Sequence, residues 1–296
     1  MDSYNQETIF HLPGLFSRYE LYQQILQNYK ENPQFFKDNI KIGSIYDCPA
    51  GIWNGGRLIT GLPYSKSSLI KVKDFLAKYN TPARFTFTNC LLEEKHLYDT
   101  YCNMILEIFN TGTNEVICNK EILENYIRDK YGDRYKYISS TTKRLTSIES
   151  QNKELQKDYH LVVLDYDHNK NFNYLQSIPN KDKCELLCNA VCQGHCKRRQ
   201  KHYEIISQCQ LDFDEEKLSK FDCPYTREDN LNSAKKNSNF ISIQDINNIY
   251  LPMGFKNFKL EGRTMHPLDL IEMLLYYLIK EEYHESIRRY LQRIYF

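Results

Sequence analysis

The chain has 296 residues, with 39 lysines and arginines against 38 aspartates and glutamates, and a formal net charge of +1. Charged residues make up 26% and apolar residues 41% of it, which excludes disordered and collagen-like proteins. A net charge this small produces no general electrostatic attraction for nucleic acid. Nucleic-acid binding is therefore left open, and it would need a local basic patch. No apolar run approaches the roughly 20 residues that span a bilayer, and residues 1–6 lack the basic start and the apolar segment of a signal peptide. We therefore expect a cytoplasmic protein without membrane contact, whose ten cysteines stay reduced.

Short runs typical of strands alternate with amphipathic helical patterns along the chain. They predict strands at 8–12, 40–46, 83–88, 115–118, 135–139, 159–164, 183–188 and 255–260. They predict helices at 18–29, 67–79, 93–109, 120–130, 147–155 and 267–290, with a short irregular connection near 172–176. Eight such units favour an α/β fold, a single (β/α)8 TIM-barrel-like domain over residues 1–296. A doubly wound open sheet is the alternative.

The connection between the seventh and eighth strands, residues 189–254, is far longer than usual and rich in cysteine. It contains Cys192, Cys196, Cys209 and Cys223, and Cys48 after the second strand would open onto the same barrel mouth. Five thiols therefore compete for a site that needs four. Thiolates suit an iron–sulfur cluster or zinc. Alternatively, the cysteines are inert buried thiols. This interpretation suits Cys184 and Cys188 on the seventh strand best.

Polar residues also cluster at the ends of the second, seventh and eighth strands. The basic segment 197–203 would hold an anionic substrate or form a solvated helix start, and its His202 would transfer protons. The eighth strand closes with Lys259, Glu261 and Arg263, of which the glutamate and arginine would grip a carboxylate or form a structural pair. Paired glycines in 53–57 predict a tight turn or a close backbone approach after the second strand.

Several of these motifs together resemble the collagenase-like peptidase family of unassigned catalytic type, a peptidase family of class U. The resemblance rests on Asn189-Ala-Val-Cys192-x-x-x-Cys196, His202-Tyr203, Cys223 and Gly254-Phe-x-x-Phe258-Lys-Leu-Glu-Gly-Arg263. The segment 42–57 is similar to the family's small single-barrel members, and the resemblance extends over residues 8–295.

This resemblance implies a (β/α)8-like barrel and, in the iron–sulfur branch, an oxygen-independent hydroxylase that carries a 4Fe-4S cluster. Such enzymes act on a nucleobase or on the aromatic ring of a quinone precursor, with prephenate as the implied hydroxyl donor. By position, the ligands would be Cys192, Cys196, Cys209 and Cys223, although Cys48 matches an early ligand of the quinone branch. Zinc is the alternative metal. The implied partners are a small aromatic or anionic substrate and a homologous barrel subunit.

On this interpretation, the catalytic residues are His202, Arg263 and Glu261, and the substrate-binding residues are Asn54, Arg57, Arg199 and Lys259. Two other functions stay open. The chain would be a peptidase, as the family's name suggests, although it has neither a Gly-x-Ser-x-Gly elbow nor the paired histidines of a zinc-protease helix. Alternatively, it would be a non-catalytic subunit that binds a cluster and docks on a second barrel.

Overall fold

The computed structural model describes residues 6–55, 61, 63–223 and 228–295. Within these ranges, parallel strands close into a barrel in sequence order. The strands are β1 Thr8–Pro13, β2 Ile40–Asp47, β3 Ala83–Phe87, β4 Glu115–Cys118, β5 Lys136–Ser139, β6 Leu161–Val163, β7 Cys184–Leu187 and β8 Asn257–Lys259. The predicted (β/α)8 barrel is confirmed. The open-sheet alternative is wrong, because β8 pairs with β1 and leaves no sheet edge.

Helices follow the strands around the barrel. The first six are α1 Tyr19–Glu31, α2 Lys66–Lys78, α3 Thr100–Ile108, α4 Glu121–Tyr131, α5 Ile148–Leu155 and α6 Phe172–Ser177. The long connection between β7 and β8 carries α7 Arg199–Asp212, α8 Glu216–Ser219, α9 Leu231–Lys235, α10 Ile243–Asp245, a π-helical turn Ile246–Tyr250 and α11 Leu251–Met253. The last two are α12 Pro267–Leu278 and α13 His284–Gln292. Short 3₁₀ turns lie at Pro33–Phe35, Glu94–Tyr98, Gly132–Arg134, Thr141–Lys143, Tyr166–His168, Lys181–Lys183 and Glu281–Tyr283.

Two predicted helices are divided in the structure. The pattern over 93–109 splits because the Asp99 carboxylate accepts the Cys102 backbone N–H at 2.7 Å and caps a new helix, α3. The pattern over 267–290 breaks at Ile279, which leaves helical geometry and pairs with Phe36 in an antiparallel bridge. Conversely, the connection that the sequence predicts as irregular forms the short helix α6.

The barrel interior is divided between apolar and charged side chains. Ile117, Ile138, Leu161 and Val163 form a small apolar cluster that is separate from the main core. The main core lies between the strands and the surrounding helices, where α12 buries most of one face. This separation is expected for a barrel, since alternate residues of each strand point inward and outward.

The charged part of the interior is organised around Arg84, which is fully buried. Its Nε donates to Glu115 at 2.5 Å, and its Nη1 donates to the Glu185 carboxylate. His11 lies beside them, with Nε2 3.4 Å from Glu185 Oε2. Burial, and then the positive charge of Arg84, lower the pKa of His11 to about 4, so this imidazole is neutral at pH 7.

Candidate functional site

A cavity of about 260 Å³ opens at the C-terminal end of the barrel. Its floor includes Tyr46 of β2, Thr86 of β3, Ile117 of β4, Leu187 of β7 and Lys259 of β8. These residues lie near the carboxyl ends of their strands. Active sites of (β/α)8 barrels are found at this face, so the cavity is the candidate functional site.

The opposite wall comes from the connection between β7 and β8. The helix α7 presents Arg199, His202, Tyr203 and Ile206 to the cavity, which is the i, i+3, i+4, i+7 spacing of one helix face. The His202 ring stacks on the ring of Phe221, with centroids 4.7 Å apart and an interplanar angle of 17°. This stacking joins α7 to the chain that follows it and sets one side of the opening.

Two cations lie in the floor next to the Tyr46 ring. Lys259 Nζ is 4.1 Å from the Tyr46 ring centroid and 4.0 Å from Glu185 Oε1. Arg263 Nη1 donates to Thr86 Oγ1 at 2.9 Å, and its guanidinium carbon is 5.6 Å from the same centroid. The side chains of Lys259 and Arg263 are only 11% and 10% exposed. Cations held this deep attract an anion more strongly than surface cations do.

Glu261 and Arg263 do not form the pair that the sequence suggested as one alternative. The ion pair seen for Arg263 is with Asp47, whose Oδ1 is 3.8 Å from Nη1. The Glu261 carboxylate instead accepts the Val191 backbone N–H at 3.3 Å, and the Glu261 backbone exchanges hydrogen bonds with the Asn189 side chain. Glu261 lines the cavity and also fastens the end of β8 to the start of the long connection.

Arg199 lines the cavity, but its guanidinium is bound within the protein. Its Nη2 donates to Asp167 Oδ1 at 2.9 Å and to the Gln193 carbonyl at 2.6 Å, and its guanidinium carbon lies 4.1 Å from the Tyr166 ring centroid. Asp167 also accepts the His195 backbone N–H at 2.9 Å. Arg199 and Asp167 therefore fix the loop that contains Cys192 and Cys196.

Three of the four predicted metal ligands, Cys192, Cys196 and Cys223, line the cavity and are partly buried. The fourth, Cys209, is fully buried further along α7, outside the cavity lining. The competing thiol, Cys48, is also buried and outside the lining, and it donates to the Pro49 carbonyl at 3.1 Å. Burial, and then the nearby Asp47 carboxylate, raise the pKa of Cys48 well above its usual value.

Asn54, predicted to bind substrate, lies in the contact between the barrel and α7 instead of in the cavity. It is fully buried, and its Nδ2 donates to Gln210 Oε1 at 3.5 Å. The adjacent Gly55 has φ +142°, and a Cβ there would lie 3.1 Å from the Ser207 Cα. The tight turn therefore brings the backbone against α7. Arg57, also predicted to bind substrate, lies outside the described residues.

Several cavity residues carry no motif that the sequence analysis could use. Hydroxyl side chains of Thr86, Thr88, Ser140, Thr141 and Thr142 line the cavity. Their one shared signal is position, since each lies near the carboxyl end of β3 or β5. Hydroxyl groups both donate and accept hydrogen bonds, so they suit the oxygen atoms of a small polar ligand.

Neither a protein-family model nor a curated protein matches this sequence. Among solved structures, the chain is similar to one described as the structure of the U32 peptidase Mk0906. The TM-score is 0.53 and the identity 11%, over 88% of this chain and 95% of that one. The chain thus has the barrel fold of a U32 peptidase structure. Within the described ranges, no helix has the length and apolar character to cross a membrane.

The thiols at the cavity fit a metal in chemical kind, but not in their present spacing. Cys192, Cys196 and Cys223, with the His202 imidazole, are donors typical of zinc and iron–sulfur sites. In the part of the chain that the structure describes, no three histidine, cysteine, aspartate or glutamate side chains already lie close enough to hold an ion. Binding would therefore require the loop at 192–196 and the segment at 221–223, neither of which is helical, to approach each other.

Proposed function

We propose that the cavity binds a small anionic molecule with an aromatic or otherwise planar body, and that the protein is an enzyme, or a subunit of one, that acts on it. The observation that carries this proposal is the pair of nearly buried cations, Lys259 and Arg263, in the floor of the cavity. Charge-assisted hydrogen bonds to a carboxylate are about twice as strong as those between neutral groups.

The rest of the cavity supports the same class of ligand. The Tyr46 ring lies beneath the two cations, and Ile117, Leu187 and Ile206 supply apolar surface for a planar body. The volume of about 260 Å³ suits a small molecule. His202, on the wall opposite the floor, is the residue we propose for proton transfer, because imidazole exchanges protons near neutral pH.

We further propose that Cys192, Cys196 and Cys223 hold a metal centre, as a 4Fe-4S cluster or as zinc. Buried Cys209 is the candidate for the fourth ligand, and cavity-lining His202 is the alternative if it does not transfer protons. When bound, an iron–sulfur cluster would supply the redox chemistry that an oxygen-independent hydroxylation needs. The protein's own residues would bind and orient the anion beside it and exclude water from the floor.

Metal analysis after anaerobic purification tests the metal centre. We expect a brown protein with about four iron and four sulfide per chain, the content of one 4Fe-4S cluster, or about one zinc if that metal is the resident one. Cys192→Ala or Cys196→Ala should lose the metal, whereas Cys184→Ala, which removes a buried thiol of β7, should keep it. A colourless, metal-free wild-type protein would contradict this part of the proposal.

Calorimetric titration tests the anion site independently of the metal. Wild-type protein should bind prephenate or phenylacetate, and Lys259→Met should weaken either affinity by at least about tenfold through the loss of a charge-assisted contact. The matched control is Lys256→Met, which removes an exposed lysine three residues earlier. Equal affinities in the two variants would count against Lys259 as the binding cation.

Peptide hydrolysis is the second candidate function, favoured by the likeness to the U32 peptidase structure. Here the substrate would be an unfolded polypeptide, and the cavity would hold one of its acidic side chains or its terminal carboxylate. Incubation with gelatin distinguishes the two functions. Cleavage that survives Cys192→Ala and Cys196→Ala would favour a peptidase, because the proposed metal centre would then be dispensable.

A further inference from the structure

A buried carboxylate lies directly beneath the cavity floor. Glu185 of β7 is fully buried and is not part of the cavity lining. Its Oε2 contacts Arg84 Nη1 and lies 3.4 Å from His11 Nε2. Its other oxygen, Oε1, has no hydrogen-bond partner in the described part of the chain and faces Lys259 Nζ at 4.0 Å. A buried carboxylate oxygen without a hydrogen bond is costly, so its position demands an explanation.

The charges around Lys259 come from every neighbouring strand of the floor. His11 of β1 is its partner in the strand register and is neutral at pH 7. Arg84 of β3 lies behind Glu185, and Arg263 follows β8, so both positive charges disfavour protonation of Lys259. The Tyr46 ring of β2 and the Glu185 carboxylate favour it. Glu261 is the further charged residue of the cavity near the end of β8.

Glu115 shows why Glu185 is not simply the counter-ion of Arg84. Arg84 Nε already pairs with Glu115 Oε2 at 2.5 Å, and Glu115 is 3% exposed. Two carboxylates therefore share one guanidinium, which leaves one negative charge to be balanced. The cation nearest to this remaining negative charge is Lys259, whose Nζ lies 4.0 Å from Glu185 Oε1.

We propose that Glu185 is a positioning residue of the anion site, which keeps Lys259 protonated and directed into the cavity floor without itself touching the ligand. This inference rests on the proposed function, because it requires an anion held by Lys259. An opposite charge at about 4 Å stabilises an ammonium group that burial and neighbouring cations would otherwise neutralise.

The test compares wild type, Glu185→Gln and Glu115→Gln in calorimetric titrations with phenylacetate from about pH 7 to pH 10.5. Phenylacetamide, its neutral isostere, is the ligand control. Binding of the anion should be lost as Lys259 deprotonates. In Glu185→Gln the midpoint of that loss should fall by about one to three pH units, the effect of one nearby opposite charge. Glu115→Gln removes an equally buried partner of Arg84, and its midpoint should stay close to that of wild type.

Each outcome is decisive. Superimposable pH profiles for Glu185→Gln and Glu115→Gln would overturn the positioning role, because a purely structural role would affect both alike. A wild-type protein that does not bind phenylacetate would instead refute the proposed anion site, and the positioning role with it. If Glu185→Gln does not fold, Lys259→Arg replaces it, since guanidinium stays charged throughout this range. The alkaline loss should then disappear, and its persistence would overturn the proposal.

Discussion

Replacing Arg84 with methionine should destabilise the barrel strongly, and by an amount that depends on pH. Arg84→Met removes the guanidinium that pairs with Glu115 and Glu185, and leaves two carboxylates that are 3% and 0% exposed. Removing one partner of a buried ion pair costs about 3–5 kcal/mol. For a chain of this size, each kcal/mol lowers Tm by about 2–4 °C, so the loss is roughly 10 °C.

The pH dependence follows from the pKa of Glu185. Burial acts to raise that pKa, but the charges of Arg84, His11 and Lys259 together outweigh burial and lower the pKa to about 2. In wild type, a carboxyl with a depressed pKa contributes stability above its unfolded pKa of about 4.3, which is lost as pH falls towards 2. In Arg84→Met, burial dominates and the folded-state pKa rises above the unfolded value. Ionisation then destabilises the variant as pH increases, so its deficit should shrink at acid pH.

Denaturant unfolding of wild type and Arg84→Met at about pH 7 and pH 4.5 measures both effects. The control is Arg289→Met, which breaks a surface pair with Glu285 and should leave the stability nearly unchanged. A cost for Arg84→Met below about 1 kcal/mol at neutral pH, or one that is the same at both pH values, would refute the buried charge network.

Three further predictions concern the turn, the loop and His11. Gly55→Ala should cost about 1–3 kcal/mol in denaturant unfolding, because φ is +142° and its Cβ would lie 3.1 Å from the Ser207 Cα. Asp167→Asn weakens the anchor of the 192–196 loop, so iodoacetamide should alkylate Cys196 faster than in wild type; an unchanged rate argues against the anchor. Burial and Arg84 lower the pKa of His11 to about 4, below its unfolded value of about 6.5. Neutral His11 therefore contributes stability above pH 6.5, and that stability is lost as the pH falls towards 4. His11→Asn should therefore lose less stability than wild type between pH 6.5 and 4.

Several strand positions could be predicted because a short apolar run is followed by a polar residue. The run before Asp165, for example, predicts the strand that the structure places at Leu161–Val163. The pattern over 267–290 predicts one helix because its apolar residues between 270 and 278 share one face. The break comes from tertiary pairing of Ile279 with Phe36, which the sequence spacing does not encode.

The candidate site was predictable where strand periodicity alone decides orientation. Lys259 is the last residue of β8 and Arg263 lies four residues beyond it, and both line the cavity. Asn54 and Cys209 were not predictable in this way, since their positions depend on how α7 packs on the barrel. Glu185 belongs to no recognisable motif, although its spacing of two from Leu187 in β7 indicates an inward direction.

The central claim is that the cavity at the barrel mouth binds a small anion on Lys259 and Arg263. The most direct test is a crystal structure with bound 4-bromophenylacetate, in which anomalous scattering locates the bromine. We predict one ligand in the cavity, with its carboxylate within hydrogen-bond distance of both cations and its ring against Tyr46 or the apolar wall. A ligand bound elsewhere, or a ligand in the cavity whose carboxylate points away from Lys259 and Arg263, would contradict the account.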